Sequence, residues 1–518
     1  MTEVEKAALP KRELYLVFGA LMLGLLLAAL DGTIVATALP TIVGDLKGAN
    51  HLSWVVVAYL LASTVSTPLW GKLGDLHGRK IYFQMAIALF LVGSMLCGLA
   101  NSMLMLIIFR AIQGLGSGGL MVGSQAVIAD IVPPRERGRY AGFFGAVFGA
   151  ATVIGPLLGG FIVEYFSWRW IFFVNVPLGL VALVVTAAVL PSAGERRSHV
   201  IDYLGVVTLT IAASALILFT SLGGSSFAWL SGPSMILLAV GVVMAVLFVV
   251  VERRSPEPIL APHLFSNRVF SSGSAIGFVV GFAMFGAMTF LPLFFQDVRG
   301  ASPTNSGLRL IPMMVGLFVA SIVTGQLVSK GRRYRPFPIA GTAIMTVGLA
   351  LLSTIGVTTS NVTMALYMMI LGVGLGLVMQ ILVTAVQNAV DSSDIGAATA
   401  GANFFRSIGG SFGTAVFGAV FANELPHQLA TAFKGHASAA SHLSPSSWTP
   451  AVLRHLPPAV WPKVLHAIAA TIQSIYRWAT PVGAIAVLLS LTLPEVKLRT
   501  SLHHVSEEIP LSNVDPLA

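Results

Sequence analysis

The stretch Leu30-Asp31-Gly32-Thr33 places a carboxylate near the far end of an apolar run that extends from about Leu14 to Leu39. A run of that length crosses a bilayer, which takes about 20 apolar residues. An acid inside it costs about 2.5–3.5 kcal/mol on insertion scales, and acids so placed usually serve proton or ion movement. Of the 21 acidic residues, Asp31 alone falls well inside such a run. The chemistry it offers is protonation linked to the movement of something else. Arg110, in the fourth run, is its counterpart. Asp31 stands eight residues before Leu39, about 12 Å along a helix, and Arg110 stands about 10 Å from the start of its own run near Met103. Opposite charges at matching depth predict an ion pair or a water-linked relay. The alternative is a static pair that only fixes the first and fourth helices.

Two further groups of residues carry mechanical rather than chemical signals. Gly71-Lys72-Leu73-Gly74-Asp75-Leu76-His77-Gly78-Arg79-Lys80 joins the second and third runs. Its glycines allow a tight turn and close approach to a neighbour. Asp75 is suited to face a helix N-terminus, and Arg79 to pair with a carboxylate. The fifth run holds Gly145, Gly149, Gly155, Pro156, Gly159 and Gly160. Small residues at three- and four-residue spacing let helix backbones approach closely, and Pro156 removes a backbone donor and permits a kink. Gln113, Asn175 and Gln296 are the amides expected along a substrate cavity. Cys97 is the single cysteine, so no intrachain disulfide forms, and it is expected to serve packing.

These residues need a membrane scaffold to position them. Hydrophobic residues are 56% of the 518 and charged residues 10%, where a soluble domain carries about 25% charged. Mean hydropathy is +0.85. Fourteen spans are expected, near 14–39, 53–70, 81–100, 103–128, 139–164, 170–190, 203–222, 232–251, 269–295, 306–328, 338–356, 362–385, 397–423 and 475–494. The net charge of +9 arises from short clusters between runs rather than one basic tract, which argues against nucleic-acid binding. Two-thirds of the 30 basic residues fall in alternate loops, which puts both termini in the cytoplasm. The first run is too long for a cleaved signal sequence.

An internal repeat organises the spans. Leu39-Pro40 followed by Asp45, Lys47 and Gly48 recurs as Leu291-Pro292 followed by Asp297, Arg299 and Gly300. Gly114, Gly138 and Gly142 align with Gly372, Gly396 and Gly401 with one residue of slippage. The expected plan is a cytoplasmic N-terminus (1–13), a six-helix bundle (14–190), a linker with two inserted helices (191–268), a second six-helix bundle (269–494) and a cytoplasmic tail (495–518). Parallel halves of this kind hold substrate near the midplane between them. The second bundle includes an extracellular loop at 424–474, with five of the 11 histidines in it or at its edge but no spacing suited to a metal.

At this point the sequence resembles a known family. Gly71 to Lys80 is similar to the helix 2–3 loop motif of the major facilitator superfamily, which implies a conformational gate at Gly71, Gly74, Asp75, Gly78 and Arg79. Arg110-Ala111-Ile112-Gln113-Gly114 resembles its helix 4 motif, which implies a part for Arg110 in proton transfer. Gly155-Pro156 with Gly159 and Gly160 resembles the antiporter motif of helix 5, with Ala151 where the fuller pattern prefers glycine. Leu30 to Val35 with Ala38-Leu39-Pro40 resembles the helix 1 motif of the fourteen-helix drug:proton antiporter branch. Trp168-Arg169-Trp170 through Asn175-Val176-Pro177, and Leu291-Pro292 through Gln296 and Gly300, fit that branch too. The second copy of the loop motif, Gly325 through Arg333, lacks the acid.

The resemblance implies an all-α polytopic membrane protein of the major facilitator fold. It also implies a proton-coupled exporter of drugs or other amphipathic small molecules, multi-pass in the plasma membrane and working by alternating access. Asp31 and Arg110 would couple the proton gradient, which is the energy source in place of any cofactor. The expected partners are the small-molecule substrate, protons and lipid, with a further extracytoplasmic partner conceivable at 424–474 and a monomer as the working unit. A dedicated exporter of a lipid, siderophore or self-made antibiotic is the alternative, and a nutrient importer of the same fold a more distant one. Missing intramembrane acids beyond Asp31 speak against a strictly dicationic substrate. No nucleotide loop, catalytic triad spacing or metal cluster is present, which argues against an enzyme.

Overall fold

A computed structural model describes residues 11–46, 52–132, 134–190, 202–223, 227–391, 394–432 and 461–498. Helices account for nearly all of it. Among the described residues the only β feature is one isolated bridge, Gly223 with Phe227. The first seven helices are α1 (Lys11–Leu46), α2 (Leu52–His77), α3 (Arg79–Gly98), α4 (Met103–Ile131), α5 (Pro134–Tyr165), the short α6 (Trp170–Phe173) and α7 (Asn175–Val189). The pair α8 (Tyr203–Leu222) and α9 (Gly232–Glu252) follows, then the short α10 (Pro262–Ser266). The last group is α11 (Arg268–Leu293), α12 (Pro303–Leu308), α13 (Ile311–Ser329), α14 (Pro336–Leu352), α15 (Asn361–Ala389), α16 (Ile395–Ala432) and α17 (Trp461–Leu491).

Helix ends follow local chemistry. Ser102 caps α4 by accepting from Met105 N at 3.3 Å, and Asn267 caps α11 by accepting from Val269 N at 2.9 Å; both supply an acceptor to a backbone donor with no partner inside the helix. Pro292, without an N–H, precedes a wider turn at Phe294–Val298 that ends α11. The chain then reverses at Gly300, whose φ is +62°.

Twelve of the described helices are long and apolar enough to cross a membrane. The chain is a multi-pass membrane protein. Two of the fourteen expected spans stand outside those twelve: α5, and α14, whose 17 residues reach about 26 Å. The long loop expected over 424–474 is partly helical, because α16 continues to Ala432 and α17 begins at Trp461. The expectation stopped where apolarity stopped. Backbone hydrogen bonding does not require apolar side chains once the helix leaves the bilayer. The partner surface suggested for that loop falls mainly on 433–460, outside the described residues.

Packing sorts the helices into two groups and a pair. In the N-terminal group α4 packs on α2 and α3, and α1 on α5 and α7; in the C-terminal group α15 packs on α13 and α14, and α16 on α11 and α17. Each group has its own apolar core, built on residues such as Phe83, Ile87 and Phe90 in the first and Phe294, Leu371 and Ile475 in the second. The groups meet through α5 against α13 and α2 against α16, while α8 and α9 pack on each other with α8 touching α2 and α16.

Candidate functional site

Five helices of the N-terminal group bring one buried polar cluster together. Asp31 on α1 and Arg110 on α4 form an ion pair in which Nη1 of Arg110 donates to Oδ2 of Asp31. Their side chains are 0% and 1% exposed. Gln113 Nε2 donates to Asp31 Oδ1 at 2.8 Å, and Asn175 Nδ2, at the start of α7, approaches the same oxygen at 3.4 Å. The same Nη1 of Arg110 also reaches Gln113 Oε1 at 2.9 Å, and its Nε donates to Val55 O at 3.3 Å. The guanidinium stacks on the Tyr59 ring, 4.0 Å from the centroid, a geometry that favours a cation. Arg110, Gln113 and Asn175 each direct an N–H at the Asp31 carboxylate. Close helix approach makes this possible: a Cβ on Gly114 would stand 2.4 Å from Tyr59 O, and one on Gly93 2.5 Å from the Gln113 backbone.

The structure places the three expected amides in two places. Gln113 and Asn175 are completely buried and reach Asp31, because a carboxylate sealed from water recruits the nearest amide donors. Gln296 lies in the wide turn after α11 and faces Ser306 Oγ at 3.4 Å. Three members of the cluster escaped the sequence reading. Tyr59 hydrogen-bonds Ser117 Oγ at 2.7 Å. Ser94 accepts from Asn175 Nδ2 at 3.0 Å and donates to Phe172 O at 2.8 Å. Cys97, expected only to pack, directs its thiol to Gln113 Oε1 at 3.6 Å. The available signal was a hydroxyl, phenol or thiol within an apolar run, too common to single out.

A second cluster ties the two groups together at one end of the bundle. Asp75, near the end of α2, accepts from Gly396 N at 3.0 Å and Ala397 N at 2.8 Å. These are the first amides of α16, where donors lack helical partners and the helix dipole favours an anion. Arg79 Nη2 donates to Asp75 Oδ1 at 2.8 Å, and its Nη1 pairs with Asp130 at 3.0 Å and donates to Ala126 O. Gly71 and Gly396 set the approach, since a Cβ on Gly71 would stand 2.6 Å from Gly396 O and from Ala400 Cβ. Gly78 turns the chain between α2 and α3 with φ +99°. Gly74 packs beside Arg79, and Lys72 pairs with Glu257 at 3.0 Å. This end of the bundle is closed.

Helix α5 rests on the Asp31 segment. Thr33 donates to Ala151 O at 2.9 Å. A Cβ on Gly155 would stand 2.0 Å from Thr33 Oγ1, and one on Gly159 2.2 Å from Thr37 Oγ1. Gly160 lies on the same helix, partly buried. The side-chain surroundings of Gly145, Gly149 and Pro156 lie outside the described residues.

Two bundle-like helix groups, a polar cluster joining them at one end and a charge pair sealed within one group frame the site. Residues 21–414 match the Major Facilitator Superfamily, and the chain belongs to that family. It is 44% identical over 494 residues to an MFS-type transporter of Mycobacterium tuberculosis, covering 95% of this chain and 71% of that one. It is 41% identical over 405 residues to the multidrug transporter protein MdtP of Bacillus subtilis, covering 78% of this chain and 75% of that one. The structure aligns over 95% of this chain and 98% of the proton:xylose symporter XylE, with a TM-score of 0.59 and 17% identity, a likeness of fold alone. The chain is a transporter and not an enzyme.

Proposed function

We propose that the chain is a proton-coupled exporter of amphipathic small molecules, with Asp31 as the proton carrier. The observation that carries the reading is the sealed Asp31 carboxylate, whose oxygen Oδ2 is held by Arg110. A proton and Arg110 compete for that carboxylate. The ionised acid keeps the pair; a protonated one releases the guanidinium. Asn175 Oδ1 is a buried acceptor with no donor, and a protonated Asp31 would supply one. Thr33 and Gly155 then pass the change from α1 to α5, which packs on α13 of the other group. Kinship to a protein named as a multidrug transporter supports efflux as the direction.

In this reading α5 and α14 complete fourteen spans, 14–190 and 269–494 are two six-helix bundles, and 191–268 carries the inserted pair. The basic loops put both termini and the Asp75 cluster in the cytoplasm, so the closed end is the inner one and the molecule faces outward. Asp31 takes its proton from outside and releases it inside as the transporter resets. The test uses purified protein in proteoliposomes under an imposed pH gradient, with a panel of amphipathic dyes and a lumenal pH indicator. Asp31→Asn should insert normally yet lose gradient-driven dye movement and its accompanying proton flux. Transport by that variant at the wild-type rate would remove Asp31 from the coupling step.

A further inference from the structure

The C-terminal group also buries an arginine, and its surroundings are unlike those of Arg110. Arg406 sits on α16, 7% exposed, eleven residues from the α16 start and so about 17 Å from the closed end. Its backbone and stem lie on α11: a Cβ on Gly281 would stand 2.2 Å from Arg406 O and 3.2 Å from its Cγ. Among the described residues the guanidinium has one polar partner, Asn403 Oδ1, which accepts from Nη2 at 2.6 Å. Among the described residues no carboxylate pairs with it. Arg110, by comparison, has an acid, an amide, a backbone carbonyl and an aromatic face.

The partner it does have is held in place from the other group. Asn403 Nδ2 donates to Gln125 Oε1 on α4 at 2.7 Å, which turns Asn403 Oδ1 toward Arg406. Gln387 Nε2 on α15 reaches Gln125 O at 3.4 Å and Thr399 Oγ1 at 3.0 Å. Asn403 and Arg406 are three residues apart and share a face of α16, and that face looks across to α4. On α11, Ser274 Oγ is buried without a partner one turn from Gly277, and Gly277 packs against the Arg406 Cβ. A fork of donors is thus held by a chain of amides on the seam between the groups, and most of it is unused.

We propose that Arg406 is the recognition point for the anionic head of the exported molecule, and that the substrates include amphipathic carboxylates. This rests on the export reading above. A guanidinium fits a carboxylate through two parallel hydrogen bonds, and an incoming anion supplies the countercharge that the buried cation lacks. The apolar remainder of the substrate would lie along the apolar helices that flank the seam. Gln125 adjoins Ala126, whose carbonyl holds Arg79, so Arg406 is linked to the Asp75 cluster through Asn403 and Gln125.

The experiment compares pyrenebutyrate, its primary amide and pyrenebutylamine by fluorescence titration of the purified full-length protein at constant pH. The wild type should bind the carboxylate about tenfold or more tightly than the amide, with the amine weakest. Arg406→Gln should bring carboxylate affinity to within about twofold of the amide, and Arg406→Lys, a point charge without the fork, should fall between. Equal binding of all three probes by the wild type, binding of none, or an undiminished carboxylate preference in Arg406→Gln overturns the proposal. The wild-type comparison decides even if a variant fails to fold. Binding is read without a gradient, so failure of proton coupling leaves this result untouched, and loss of carboxylate preference leaves the Asp31 test untouched.

Discussion

Asp31 and Asp75 are both buried aspartates paired with arginine, yet their partners come from different places. Asp31 is held by side chains of α4 and α7, all within the N-terminal group. Asp75 is held by backbone amides at the start of α16, in the other group. The first contact lies within one of the two groups. The second exists only while they touch. Position thus separates two settings that the residue type alone does not: a carboxylate sealed within one group and a carboxylate that joins the two groups.

Breaking the first should cost most. Asp31→Ala leaves Arg110 buried without an anion, a loss of about 3–5 kcal/mol in folding stability, read as a lowered midpoint in thermal unfolding of detergent-purified protein. Adding Arg110→Gln should recover part of that loss, because the orphaned charge goes too. A double variant no more stable than Asp31→Ala would show that the two residues do not act as a pair. Distances across the closed end should change less than in a variant of Asp75, because the Asp31 pair lies within one group while Asp75 bonds directly to the other.

Asp75→Asn reverses that pattern. It removes the ion pair with Arg79 and weakens acceptance from Gly396 and Ala397, about 1–3 kcal/mol against the closed end. Spin labels at Ile81 and Asp391 should report a longer, broader distance in the variant by pulsed resonance. Gly71→Ala sharpens the point without touching a charge. Its Cβ would meet Gly396 O and Ala400 Cβ at 2.6 Å, an overlap worth about 1–3 kcal/mol, and the same label pair should move the same way. An unchanged distance in both variants would mean the contact is not what holds this end shut.

The contrast was partly legible in the sequence. Depth along two helices was enough to pair Asp31 with Arg110, since both lie in regular elements of known rise. The helices themselves followed from apolar run length, with α8 spanning 203–222 as expected. The loop motif gave Asp75 the right kind of partner, a helix N-terminus, but not which helix, because that contact joins residues 321 positions apart. The amides were less legible for a different reason. Nothing in sequence distinguishes an amide that lines a cavity from one that serves a sealed acid, as Gln113 and Asn175 do. The repeat was informative in part: Gly78 and Gly331 both turn with positive φ, 99° and 89°, yet the second turn has no acid equivalent to Asp75.

A third aspartate sets the lower bound of the comparison. Asp45 lies at the end of α1 opposite the closed gate, half exposed. It accepts from Trp168 Nε1 at 2.8 Å and from Arg169 Nη1 at 3.3 Å, and Arg169 stacks on Trp168. The Trp168 hydrogen bond first, then that of Arg169, holds its carboxyl below the ordinary 3.8. A depressed value in the folded state means the contact contributes fully above 3.8 and is lost as pH falls through the depressed value. The thermal midpoints of wild type and Asp45→Asn should therefore differ by a small constant between pH 7 and pH 5 and converge only in more acid solution. Solvent and salt screen an exposed pair of this kind, so the gap should also shrink as salt is raised, whereas that of Asp31→Ala should not. A gap as large as that of Asp31→Ala would mean that burial is not what separates a structural contact at the surface from the charge pair within the membrane.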